Sequence, residues 1–136
     1  MKTSLPAVLN NADLIKEVMP FWYTLKFDGK AKAAVVTDLY GPANPSIPIA
    51  TPLTAMRAAG FQIIPTITDG MDKLVLANLL ASPANRTKTA KTISDFVLAN
   101  NYDGIDLDFE GFAFVDGNAT WAKTAPLWVA FVKELS

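Results

Sequence analysis

The sequence predicts an α/β fold in which parallel strands alternate with helices. Three observations predict it. Strand-like apolar runs and helix-like segments alternate along the chain with no tight hairpin between the main strands, and parallel neighbours need a helical crossover. Two helix starts are written in the residues, at Thr51-Pro52 and Ser82-Pro83. The stretch from Tyr102 to Phe112 alternates apolar and acidic residues with period two, the periodicity of a strand.

Residues 4–12 fit a helix end or a loop. Leu14 to Tyr23 form an apolar run ending in Phe21-Trp22-Tyr23, a strand in which Pro20 is an awkward member. Asp28-Gly29 marks a turn, and the run Ala33 to Val36 fits either a short strand or a helix. Gly41 to Pro48 is a loop. Thr51 is placed as N-cap, Pro52 in the first helical position and Gly60 just past the helix end. Phe61 to Thr68, rich in β-branched residues, is the next strand and closes on Asp69-Gly70. Residues 71–81 read as a helix. Ser82-Pro83 opens another that runs to about Asn100, with Ala90, Ile93 and Val97 in its buried stripe. After the acidic strand, Asp116-Gly117 turns the chain into an amphipathic helix of residues 125–135.

Composition removes whole classes of chemistry. A chain of 136 residues makes one domain with a real core. It has no Cys, so no disulfide, thiol nucleophile or Cys-based zinc site can form. It has no His, so it holds no Ser-His-Asp triad and no imidazole acid or base. Acid–base chemistry here runs on carboxylates, tyrosines or lysines. Twelve Lys+Arg against thirteen Asp+Glu leave no basic excess for nucleic acid or an anionic membrane, and no apolar run approaches a membrane span. The short run Leu5 to Leu9, broken by Pro6, does not make a signal peptide.

In the acidic strand, Ile105, Leu107 and Phe109 fall on one face, and Asp106, Asp108 and Glu110 on the other. Neighbouring acids on that face stand roughly 6.5–7 Å apart, two rises of a strand. Such carboxylates, if desolvated, are expected to share protons, with at least one pKa raised. That pairs an acid able to donate a proton near neutral pH with carboxylates that stay charged. Two alternatives stand beside this reading. One is a buried ion-pair network, for which no other strand offers clear inward basic partners. The other is a metal. An EF-hand register over Asp106, Asp108, Glu110 and Gly111 fails because position 12 is Gly117, while a magnesium site on Asp106 and Asp108 stays open.

Asp103-x-x-Asp106-x-Asp108-x-Glu110, with Gly104 after the first Asp, resembles the D-x-x-D-x-D-x-E signature of glycoside hydrolase family 18, the chitinase family. The order of Phe21-Trp22-Tyr23, Asp28-Gly29 and Phe61 to Gly70 around it is similar to the spore-germination and peptidoglycan-associated branch. The resemblance implies a (β/α)8 barrel, here incomplete, with residues 1–136 as the N-terminal part of the catalytic domain covering strands two to four. It implies Glu110 as general acid/base, Asp108 orienting the substrate's 2-acetamido group, Asp106 sharing a proton with Asp108, and Asp103 and Gly104 as structural members of the motif. Thr66 stands where the family's S-x-G-G strand has Ser, and is implied as a substrate contact. Thr68 and Asp69 occupy the glycine positions, a departure that weakens chitin itself as the substrate.

Sugar rings stack on aromatic faces, and Trp22, Tyr23, Phe112 and Phe114 all lie near C-terminal strand ends; Trp22 and Tyr23 are put forward as substrate contacts. The implied activity is hydrolysis of β-1,4 bonds in N-acetylglucosamine-containing polysaccharides or oligosaccharides, chitin or peptidoglycan, by a retaining, substrate-assisted mechanism with no cofactor. The alternatives are a non-catalytic carbohydrate-binding relative and an inactive fragment. The substrate class implies an extracellular or cell-envelope location for the full-length protein. An incomplete barrel leaves open strand edges, through which self-association is expected.

Overall fold

The computed structural model describes residues 4–136. Its elements are helix α1 (Ser4–Leu9), strands β1 (Glu17–Val18), β2 (Phe21–Asp28) and β3 (Ala33–Asp38), helices α2 (Tyr40–Ala43) and α3 (Ala50–Ala58), strands β4 (Gln62–Ile63) and β5 (Thr66–Asp69), helices α4 (Val75–Ala81) and α5 (Pro83–Ala99), strand β6 (Asp106–Asp108), and helices α6 (Gly111–Phe114) and α7 (Trp121–Leu135). The protein is a mixed α/β structure with parallel strands and helices.

The main sheet has the order β3-β2-β5-β6, with β2/β5 and β5/β6 parallel. Strands β1 and β4 form a separate parallel pair just upstream. Prolines separate the two ladders: Pro20 and Pro65 lack the N–H a ladder needs, yet Thr66 N–H still donates to Pro20 O at 2.9 Å. The run read from the sequence as one strand ending at Tyr23 is therefore two strands, and the second continues to Asp28.

The expected absence of a hairpin is corrected. β2 and β3 pair antiparallel from Tyr23↔Asp38 to Asp28↔Ala33 across a turn of residues 29–32. The Asp28 carboxylate accepts from Lys30 N at 2.8 Å, and Lys32 takes the left-handed conformation at φ 48°. Asp28-Gly29 marks this turn in the sequence, but Lys rather than Gly takes its left-handed position.

Helix punctuation holds at two of three sites. Ser82 Oγ accepts from Asn85 N at 3.4 Å with Pro83 at the start of α5, and Gly60 ends α3 with φ 79°. Thr51 is one residue inside α3, because Ile49 occupies the cap position. Helix α4 begins at Val75, later than expected: Leu74 is left-handed at φ 63°, and its N–H donates to the buried Asp116 carboxylate. Helix α7 begins at Trp121, earlier than expected, and runs through Pro126.

The core lies between the sheet and helices α4, α5 and α7, where Leu25, Ile67, Leu80, Ile93 and Phe131 are fully buried. Ile105, Leu107 and Phe109 pack against this core, and Phe109 stacks on Phe131 at 6.3 Å and 17°. This is the apolar face that the period-two pattern assigned to the helix layer. Its burial turns the alternate residues, Asp106 and Asp108, to the other side of the sheet.

Candidate active site

The acidic residues converge at the C-terminal ends of β5 and β6. Parallel register sets Thr66 beside Asp106 and Thr68 beside Asp108. The buried Thr66 hydroxyl donates to Asp106 Oδ2 at 2.8 Å, which gives that carboxylate a fixed donor. Beyond Asp108 the strand stops. Glu110 adopts helical backbone angles (φ −91°, ψ −10°), is exposed, and immediately precedes α6 without a side-chain capping hydrogen bond. It thus leaves the straight row expected from alternation. It still shares an open depression of about 350 Å³ with Asp108, Asp69 and Thr68.

Asp103 has a different task. Its carboxylate accepts from Ile63 N at 2.8 Å, and its own N–H donates to Ile63 O at 3.0 Å, tying the start of the acidic stretch to β4. A methyl group added at Gly104 would meet only Ile64 at ordinary contact distance, 3.6 Å, so packing alone does not demand glycine there.

The aromatic expectation is corrected by a backbone irregularity. The β2/β5 register slips between Phe21 and Tyr23, leaving Trp22 as the bulged residue. The slip sends Phe21 to the acidic face and Tyr23 to the helix face. Tyr23 is 6% exposed, lies 4.6 Å edge-on from Phe96, and pairs hydroxyl to hydroxyl with Tyr102 at 2.6 Å. Burial, then that hydrogen bond, pushes its phenol far above the ordinary range. Trp22, also 6% exposed, packs edge-on against Tyr40 at 5.3 Å and lines a separate apolar cavity of about 600 Å³ with Met19 and Met56. Neither residue borders the acidic depression.

Two phenylalanines do. Phe21 is 60% exposed and Phe114 77%, and both line the depression with Glu110 and Asp108. Phe112 instead packs against Trp128 at 5.9 Å, and Trp121 ties back by donating from Nε1 to Phe112 O at 2.9 Å. The larger cavity holds one charged residue, Glu17, against three carboxylates in the smaller. The carboxylates gather in the smaller one.

Asp69 is the residue that sequence reasoning missed as part of the site. Its Oδ2 accepts from Gly111 N at 3.0 Å, across 42 residues of chain. Burial is the main cause holding its carboxyl above the ordinary range. The Gly111 hydrogen bond opposes this, and the negative charges of Asp116, Asp108 and Glu110 add to it. A raised carboxyl pKa was expected within the motif; Asp69, outside it, has one. Among the described residues, no group of three or more Asp or Glu side chains is arranged to hold a metal ion. Neither a protein-family model nor a curated protein matches the chain.

Proposed function

We propose that the chain carries the acid/base centre of a glycoside hydrolase of the chitinase-like family 18 type, acting on N-acetylglucosamine-containing glycans. One observation carries the reading: Glu110 and Asp108 share one open depression with two exposed phenylalanines, at the C-terminal ends of parallel strands. In this reading β2, β5 and β6 are successive strands of an incomplete (β/α)8 barrel, and β3 is a hairpin excursion from it.

Glu110 protonates the glycosidic oxygen as the bond to the anomeric carbon breaks. The substrate's own acetamido oxygen attacks that carbon, and Asp108 steadies the positive charge that develops on the acetamido group. Glu110, now a carboxylate, takes a proton from water as it opens the cyclic intermediate, so the configuration is retained. Asp106, held by Thr66, tunes Asp108 from below. Phe21 and Phe114 offer apolar faces to the sugar rings.

The test is release of a chromogenic aglycone from an N-acetylated chito-oligosaccharide by the full chain and by Glu110→Gln. Loss of at least about 100-fold in kcat with oligosaccharide binding retained supports catalysis by Glu110. Binding without hydrolysis in the parent chain favours a carbohydrate-binding role instead. Absence of both overturns the reading.

A further inference from the structure

The turn that carries Glu110 is built around Asp69. Gly111 N–H donates to Asp69 Oδ2, and Gly111 O accepts from Val115 N at 2.9 Å and Asp116 N at 2.8 Å. Asp116, buried in turn, receives Leu74 N–H, which anchors the loop that follows Asp69. The loops after β5 and β6 are thus tied to each other twice, with Glu110 adjacent to the first tie. The approach is close. A methyl group added at Gly111 would lie 2.6 Å from Asp69 Oδ2 and 3.0 Å from Oδ1, so only glycine lets the carboxylate sit there.

We infer that Asp69 is a positioning residue of this site: it holds the turn that aims Glu110, and its negative charge beside Glu110 extends turnover to higher pH. This rests on the glycosidase reading of the same depression. The groups that bear on Asp69 are Asp108 and Glu110 of the β6 end and Asp116 of the following turn, all acidic. When Asp69 ionises, it adds a negative charge beside them. That charge opposes release of the proton which the cluster must hold for acid catalysis, so the cluster stays competent to higher pH. The hydrogen bond supplies geometry and the charge supplies the pH range.

The two roles separate in two variants. Asp69→Asn keeps an oxygen acceptor for Gly111 N–H and removes the charge. Its kcat at the optimum is expected within about threefold of the parent, and the basic limb of its pH–rate profile is expected about one pH unit lower. Asp69→Ala removes both, with kcat about tenfold lower or worse and KM little changed. In 15N–1H spectra, the Gly111 amide proton is expected to move with pH in the parent and to move less in Asp69→Asn, where only the titration of its neighbour Glu110 remains. The probe is the neutral chromogenic chito-oligosaccharide, with Glu110→Gln as control. Suppose Glu110→Gln abolishes turnover while both Asp69 variants keep the parent's pH profile. Then Asp69 is structural only, the inference fails, and the glycosidase reading stands. If the parent does not turn over, both fall together. If Asp69→Ala does not fold, Asp69→Asn and the Gly111 amide decide alone.

Discussion

Thr66 and Asp106 face each other across the β5/β6 register and are joined by a 2.8 Å hydrogen bond from hydroxyl to carboxylate. The donor is buried and the acceptor half-buried, so this bond fixes the inner end of the acidic row. Asp108, two register positions further on, opposes Thr68 and borders the depression. The inner acid is held and the outer one is accessible.

Thr66→Val keeps the shape and removes the donor. It is expected to cost about 1–3 kcal/mol, because a half-buried carboxylate loses its partner. It is also expected to lower kcat about tenfold through Asp108. Thr66→Ser, which restores the hydroxyl, recovers most of both. Urea midpoints and turnover of the chromogenic oligosaccharide check this; a Val variant with parental turnover would show that Asp106 acts without Thr66.

The slip at Trp22 makes opposite predictions for two neighbouring aromatics. Tyr23→Phe leaves the buried Tyr102 hydroxyl without its partner, so stability falls by about 1–3 kcal/mol while KM stays put. Phe21→Ala changes stability by about 0.5 kcal/mol or less, because the ring is mostly exposed. Its KM rises roughly 2- to 10-fold if the ring stacks on sugar. A KM effect from Tyr23 and none from Phe21 would reverse the assignment of faces.

The strength of local periodicity decided which features were legible in the sequence. Ile105, Leu107 and Phe109 alternate cleanly with Asp106 and Asp108, and the first set packs against the core while the second faces the other side of the sheet. Ser82-Pro83 and Gly60 were legible because capping chemistry is confined to a few adjacent residues. The bulge was not legible. A one-residue slip inverts every later side chain without any change in composition, so Tyr23 was put forward as a substrate contact and Phe21 was not. The turn of the β2–β3 hairpin was legible at Asp28-Gly29, but the pairing was not, because Ala33 to Val36 fits strand or helix equally and Lys32 takes a left-handed position that glycine usually marks. Asp69 was read only as a turn residue and as a departure from a glycine pattern. Its contact with Gly111 is made between loop ends that only the folded sheet brings together.

Two carboxylates give stability opposite pH dependences. Hydrogen bonds from Arg86, at 2.6 Å, and Thr87 hold Glu134 below its ordinary 4.5 and join α5 to α7. A lowered folded-state pKa gives stability that is complete above 4.5 and is lost as pH falls through the folded value. Asp69, raised above its ordinary 3.8 by burial, behaves the other way. Its contribution is fully present below 3.8 and is lost as pH rises through the folded value, so ionised Asp69 weakens the fold near neutrality. Urea midpoints between pH 3 and 7 separate the two. Glu134→Gln is expected to flatten the acid side of the stability curve. Asp69→Asn is expected to raise the midpoint at pH 7 and leave it nearly unchanged at pH 3. A midpoint at pH 7 lowered by Asp69→Asn would mean that the hydrogen bond to Gly111 needs the charge, and that Asp69 stabilises the fold it is here expected to strain.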